Sequence, residues 1–185
     1  MMSMKEIIAV MFACILANNY VFQNFLGVES VEADSRKSLN SIVAMGLSVT
    51  VVLLVTTLLV APLQGLLTTS AQYLATMVYA VVATLVVYAL NFVAKKVSKD
   101  HACSTLPIVV NSIVLGACLM NSASGYGLVA SLFASVGIGL GYLLASLVVA
   151  GVRERVNEKF VPSSWKGAPI LCAEMAIIAL VLFAF

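Results

Sequence analysis

Charge is what this sequence has least of. Asp, Glu, Lys and Arg make up 10% of its 185 residues, where a soluble domain carries about a quarter. With 62% apolar residues, the chain has too little polar surface to coat a water-soluble globule. That excludes a soluble enzyme and leaves an integral membrane protein. A basic stripe with interleaved aromatics is also missing, which excludes nucleic-acid binding. No CxxC pair occurs among Cys14, Cys103, Cys118 and Cys172, and all four fall in or beside apolar runs. They read as small buried hydrophobes rather than a disulfide framework. There is no GxxxxGK loop, no HExxH and no Ser-His-Asp set, so no catalytic residues are assigned and the chain is expected to be non-catalytic.

What the chain has is apolar runs of membrane-spanning length, about 20 residues each. Six are expected: Ile7 to Phe25, Leu39 to Val60, Ala71 to Ala94, Leu106 to Met120, Leu128 to Val152 and Pro169 to Phe185. The N-terminal run resembles a signal peptide but has no clear small-x-small cleavage site, so it reads as a retained first span. The fold class is therefore an all-α membrane protein of six helices.

The connections alternate in charge. The first carries Arg36 and Lys37. The third carries Lys95, Lys96 and Lys99. The fifth carries Arg153, Arg155, Lys159 and Lys166. The second and fourth carry none, and Lys5 is the remaining basic residue, so nine of ten fall on one side. The positive-inside rule places loops one, three and five in the cytoplasm and both termini outside.

Three spans precede Lys95 and three follow it. A unit with an odd number of spans inserts upside down when duplicated, so residues 1–185 are expected to form one membrane domain of two inverted repeats, about 1–94 and 95–185. "NNYVF" (Asn18 to Phe22) and "NSIVL" (Asn111 to Leu115) occupy the first span of each half. Interrupted spans at matching positions point to a site near the midplane. Asn18, Asn19 and Asn111 should face protein or a cavity, because an unpaired amide in hydrocarbon is costly. They have two readings: helix-to-helix or helix-break pairing, or lining of an ion or cofactor site.

Further residues complete a pattern. "ILANNYVFQNFLG", "LPIVVNSIVLGACLMN" and "VRERVNEKFVPSSWKG" together resemble the A-type membrane subunits of the Rnf complex, a family similar to the E-type subunits of the sodium-pumping NADH:quinone reductase. The sister family, the E-type subunits of Rnf, has a longer polar segment before its last span and the opposite orientation. An S-G-A-T flavin-attachment pattern is absent. The resemblance implies a six-span inverted-repeat protein paired with a homologous sister membrane subunit. At their junction the family holds a [2Fe–2S] centre, two cysteines from each partner, on an electron path coupling ferredoxin and NAD chemistry to Na⁺ or H⁺ movement. It also implies a prokaryotic inner (cytoplasmic) membrane location. A small inverted-repeat transporter or binding module without a redox role is the alternative.

The departure falls on the family's ligand positions. Where the family reads F-L-G-x-Cys-Pro, this chain has "FLGVES", with Glu29 at the cysteine and Ser30 at the proline. Where it reads Asn-Cys, this chain has Asn111-Ser112. Four thiolates cannot be assembled in the usual way, so the centre is expected to be absent or altered. Glu174, inside the last span, is open to ion binding, with hydrogen bonding to a neighbouring subunit the favoured reading. His101 reads as a solvated loop residue, and "RERVNEKF" as a headgroup-facing surface or a docking site for a cytoplasmic subunit.

Overall fold

A computed structural model describes residues 3–34, 38–66, 72–97, 112–157 and 161–183. Asn111, His101, Cys103, Arg36, Lys37, Lys99 and Lys159 lie outside the described residues. Eight α-helices and no strands occur among those described. They are α1 (Met4–Ile15), α2 (Tyr20–Asn24), α3 (Val28–Asp34), α4 (Leu39–Leu66), α5 (Gln72–Val97), α6 (Ser112–Ala123), α7 (Leu128–Arg155) and α8 (Ala168–Phe183). Two are long and apolar enough to cross a membrane, at Leu39–Leu63 and Leu128–Arg155. Shorter apolar stretches run over Leu74–Leu90, Ser112–Ala123 and Ala168–Leu182.

The apolar residues divide between two solvents. Ile42, Met45, Val49 and Leu53 on α4 are buried, as are Ile138, Tyr142 and Val149 on α7. Leu47, Val51 and Leu58 on α4, and Met77, Val81 and Leu85 on α5, are exposed. In water such a surface would be unfavourable, but against lipid tails it costs nothing, and helix association then rests on close packing.

Close packing centres on α7, which touches α1, α2, α3, α4, α6 and α8. Glycines let its neighbours in. A Cβ on Gly137 would lie 2.4 Å from the Met11 backbone oxygen, and one on Gly141 would lie 2.8 Å from that of Cys14. One on Gly139 would meet the Thr50 side chain at 2.4 Å. Gly137 and Gly141, one turn apart, thus form the seat of α1, and Gly139 the seat of α4.

Helix direction follows from which residues meet. Gly46 faces Leu143, Thr50 faces Gly139, and the Thr57 and Ser135 hydroxyls share a hydrogen bond of 2.7 Å. Numbers rise along α4 as they fall along α7, so the two helices are antiparallel. Asn24 meets Met120, Leu26 meets Gly116, and Gly27 meets Ser112. The segment leading from α2 into α3 therefore also runs antiparallel to α6.

Candidate functional site

The N-terminal apolar run is broken between Ile15 and Tyr20, and the break is where its polar residues do their work. A helix end leaves backbone carbonyls without partners, and inside a bilayer water is not available to take them. Asn19, 1% exposed, fills that role. Its Nδ2 donates to the Ile15 carbonyl at 3.0 Å and to the Gly141 carbonyl on α7 at 3.0 Å. Its Oδ1 accepts the Val21 N–H at 3.0 Å, which makes it the N-cap of α2. Gln23 Nε2 donates to the Ala17 carbonyl. One amide thus ends α1, starts α2 and pins both to α7.

Asn18 points the other way and is exposed on the surface of this chain. Gln23 and Asn24 are exposed as well. A cleft of about 500 Å³ opens beside them, with Leu16, Gln23, Asn24 and Phe25 on one wall and Ala176 and Leu180 of α8 on the other.

After α2 the chain reverses. Phe25 takes a left-handed conformation at φ 53°, and Gly27 follows at φ 79°. This turn carries α3 to the start of α6, where two hydrogen bonds join segments more than eighty residues apart. The Gly27 N–H donates to Ser112 Oγ at 2.8 Å. The Ser112 N–H donates to Glu29 Oε1 at 2.8 Å. Each side supplies one backbone donor and one side-chain acceptor. Ser30, 1% exposed, turns back to donate its hydroxyl to the Gly27 carbonyl at 2.8 Å. The structure therefore brings together Glu29 and Ser112, and sets Asn19 one short helix away.

The described cysteines lie elsewhere. Cys14 is buried on α1, within 3.1 Å of where a Gly137 Cβ would stand. Cys118 is buried among Val60, Ala75 and Tyr79, and Cys172 is exposed on α8. Among the described residues no group of three or more His, Cys, Asp or Glu is placed to hold a metal ion.

Glu174 is distant from this junction in the chain. It is 8% exposed, and neither carboxylate oxygen has a hydrogen-bond partner among the described residues. The charge of Arg153, from the last turn of α7, acts on it. A second buried polar group went unnoticed in the sequence. Asn121 Nδ2 donates to Ser135 Oγ at 3.3 Å, Ser135 also meets Thr57, and its hydroxyl donates to the Ser131 carbonyl. Serine and threonine are too common in spans for their pairing to be read from spacing.

Long apolar helices, an apolar run broken around an inward-turned amide, and large apolar side chains left facing outward fit a helical membrane protein. The family described as Rnf-Nqr subunit, membrane protein, matches residues 7–185, and the chain belongs to it. The A subunit of the ion-translocating oxidoreductase complex of Syntrophotalea carbinolica is 31% identical over 188 residues, covering 98% of this chain and 97% of that protein. The A subunit of the Na⁺-translocating ferredoxin:NAD⁺ oxidoreductase complex of Acetobacterium woodii is 30% identical over 185 residues, covering 97% and 96%. Its counterpart in the ion-translocating oxidoreductase complex of Vibrio vulnificus (strain YJ016) is 30% identical over 194 residues, covering 98% and 97%.

Proposed function

We propose that this chain is an integral membrane subunit of an Rnf-type ion-translocating electron-transport complex, pairing there with a homologous sister subunit. The observation that carries this reading is near full-length similarity to proteins named as the A subunits of such complexes, joined to a first span broken where that resemblance puts the break. The exposed amides support the pairing. Asn18, Gln23 and Asn24 lie on the surface beside the break of an apolar span, a position where lipid is a poor neighbour and another protein a good one.

The inverted repeat has support in which helices touch. Exchanging the halves maps α2 onto α6, α4 onto α7 and α5 onto α8. Under that exchange the α2–α7 contact becomes α6–α4, and the α2–α8 contact becomes α6–α5. All four occur, and α4 packs against its own counterpart α7. The antiparallel course of α4 and α7 suits a second half inserted upside down. In this reading both termini face outward across a cytoplasmic membrane, with the basic loops inside.

The residues at the family's ligand positions do not fit a four-thiolate iron–sulfur centre. Glu29 and Ser112 offer hard oxygen donors, and such clusters are held by thiolates. Cys14 and Cys118 are each buried against other helices. The chain in this reading serves assembly and packing of the membrane part, and contributes no sulfur ligand.

Affinity purification of the tagged chain from its native membranes tests the reading. Co-purification of a homologous six-span protein with flavin- and iron–sulfur-bearing subunits is the expected result. A chain recovered only as a homo-oligomer overturns it.

A further inference from the structure

The Glu29–Ser112 junction has a construction that the loss of a metal ligand alone does not explain. A position freed from holding metal needs no particular residue, and an alanine would fill the space of a thiol. This chain instead has a carboxylate and a hydroxyl there, each engaged by a backbone N–H of the opposite segment.

The physical requirement comes from the start of α6. A backbone N–H is an obligatory donor, and at Ser112, the first described residue of α6, that donor is directed at Glu29. A thiolate-bound metal centre at positions 29 and 112 would be anionic and would accept such N–H groups. Without it the Ser112 N–H needs an acceptor from the protein, and a charged acceptor makes the stronger hydrogen bond. Glu29 Oε1 meets both needs at 2.8 Å. Ser112 Oγ does the complementary service for the Gly27 N–H, at a turn that Phe25 and Gly27 hold in left-handed conformations.

We propose that Glu29 and Ser112 form a metal-independent clasp between the broken first span and α6, with the Glu29 carboxylate supplying from within the chain the negative charge a thiolate-bound centre would bring. The clasp holds together two segments that the family joins through metal. It is redox-silent, so the junction keeps one geometry whatever the electron load of the surrounding complex. The inference rests on the metal-free reading above, and its test is separable from complex membership because it reads backbone amides of this chain.

Hydrogen–deuterium exchange is measured on the full chain in membranes of its native complex, following peptides that cover the α2–α3 turn and the start of α6. Glu29→Ala is expected to speed exchange at the start of α6 about tenfold, the loss of one charged hydrogen bond. Glu29→Gln, which keeps an acceptor oxygen without the charge, is expected to fall between Glu29→Ala and the native chain. Ser112→Ala is expected to speed exchange at the turn containing Gly27. Equal exchange in Glu29→Ala and the native chain overturns the clasp, as does Glu29→Gln exchanging faster than Glu29→Ala. Should the alanine variants fail to fold, a chain with its four native cysteines changed to alanine and carrying Glu29→Cys and Ser112→Cys is treated with a short bismaleimide. An intramolecular bridge between the two positions supports the juxtaposition, and two singly modified thiols overturn it. Iron bound by this chain at positions 29 and 112 overturns the clasp and the metal-free reading together.

Discussion

The side-chain amide of Asn19 donates to the main-chain carbonyl of Gly141, 122 residues away, at 3.0 Å. The contact depends on both residues. A Cβ on Gly141 would lie 3.2 Å from Asn19 Nδ2, so a larger residue there would force the amide to give way by a few tenths of an ångström. The same amide holds the end of α1 and the start of α2. Helix break and helix packing are therefore one feature rather than two.

Asn19→Ala is expected to destabilise the chain by about 2 kcal/mol, since three hydrogen bonds disappear and their backbone partners stay buried. Asn18→Ala, on the exposed side of the same break, is expected to change stability by less than about 0.5 kcal/mol. Thermal unfolding of the two variants in detergent checks the contrast. Equal losses would mean that both amides serve the fold.

The helical pattern was readable because lipid imposes it. A span must bury its own backbone hydrogen bonds, so long apolar runs become helices, and five of the six anticipated spans have helices along their described length. The break was also readable, because "NNY" puts amides where hydrocarbon should be. Which of two adjacent asparagines turns inward was not, since both fall in the non-helical break, where helical periodicity assigns no face. The pairing of Glu29 with Ser112 lay further out of reach. It joins residues 83 apart, and the resemblance named both positions only as places where metal ligands were missing. Nothing local in "VES" or "NSI" says that a carboxylate of one meets an N–H of the other.

The glycines of α7 make a graded prediction. Gly137→Ala and Gly141→Ala push a methyl group against the backbone of α1, which cannot yield as a flexible side chain does. Each is expected to cost about 1–3 kcal/mol. Gly151, on the same helix, has no described neighbour within 4 Å of a built Cβ, and Gly151→Ala is expected to fall within about 0.5 kcal/mol of the native chain. Parallel thermal melts separate the sites. A costly Gly151→Ala would mean that backbone conformation rather than interhelix space sets the effect.

Orientation is open to a direct measurement. With nine basic residues in loops one, three and five, a cysteine introduced by Ser3→Cys is expected to react with a membrane-impermeant maleimide in intact cells. One introduced by Lys166→Cys is expected to react only after the cells are opened. Both are placed in a chain whose native cysteines are changed to alanine. The reverse order would invert the topology, and the positive-inside argument would fail for this chain.

Glu174 and Arg153 form the last contrast. Glu174 is buried with no hydrogen bond to either oxygen from the described residues, and Arg153 is a charge that acts on it. Replacing the carboxylate by its amide isostere discards no such hydrogen bond and relieves the cost of a buried charge, while it gives up the attraction to Arg153. These effects oppose each other, so Glu174→Gln is expected to stay within about 1 kcal/mol of the native chain. Arg153→Met has no such compensation, because it leaves the carboxylate buried without its opposing charge. No hydrogen bond joins the two groups, so a loss of about 1 kcal/mol is expected. In the double variant the carboxylate is gone as well, and part of that loss should return. The two substitutions should therefore couple by about 0.5–1 kcal/mol in a double-mutant cycle, which also cancels whatever else Arg153 touches. A coupling near zero would mean that Glu174 is balanced by something other than Arg153, such as a cation or a group on the neighbouring protein. Repeating the melts in Na⁺ and in K⁺, with and without that neighbour, would then tell those two apart.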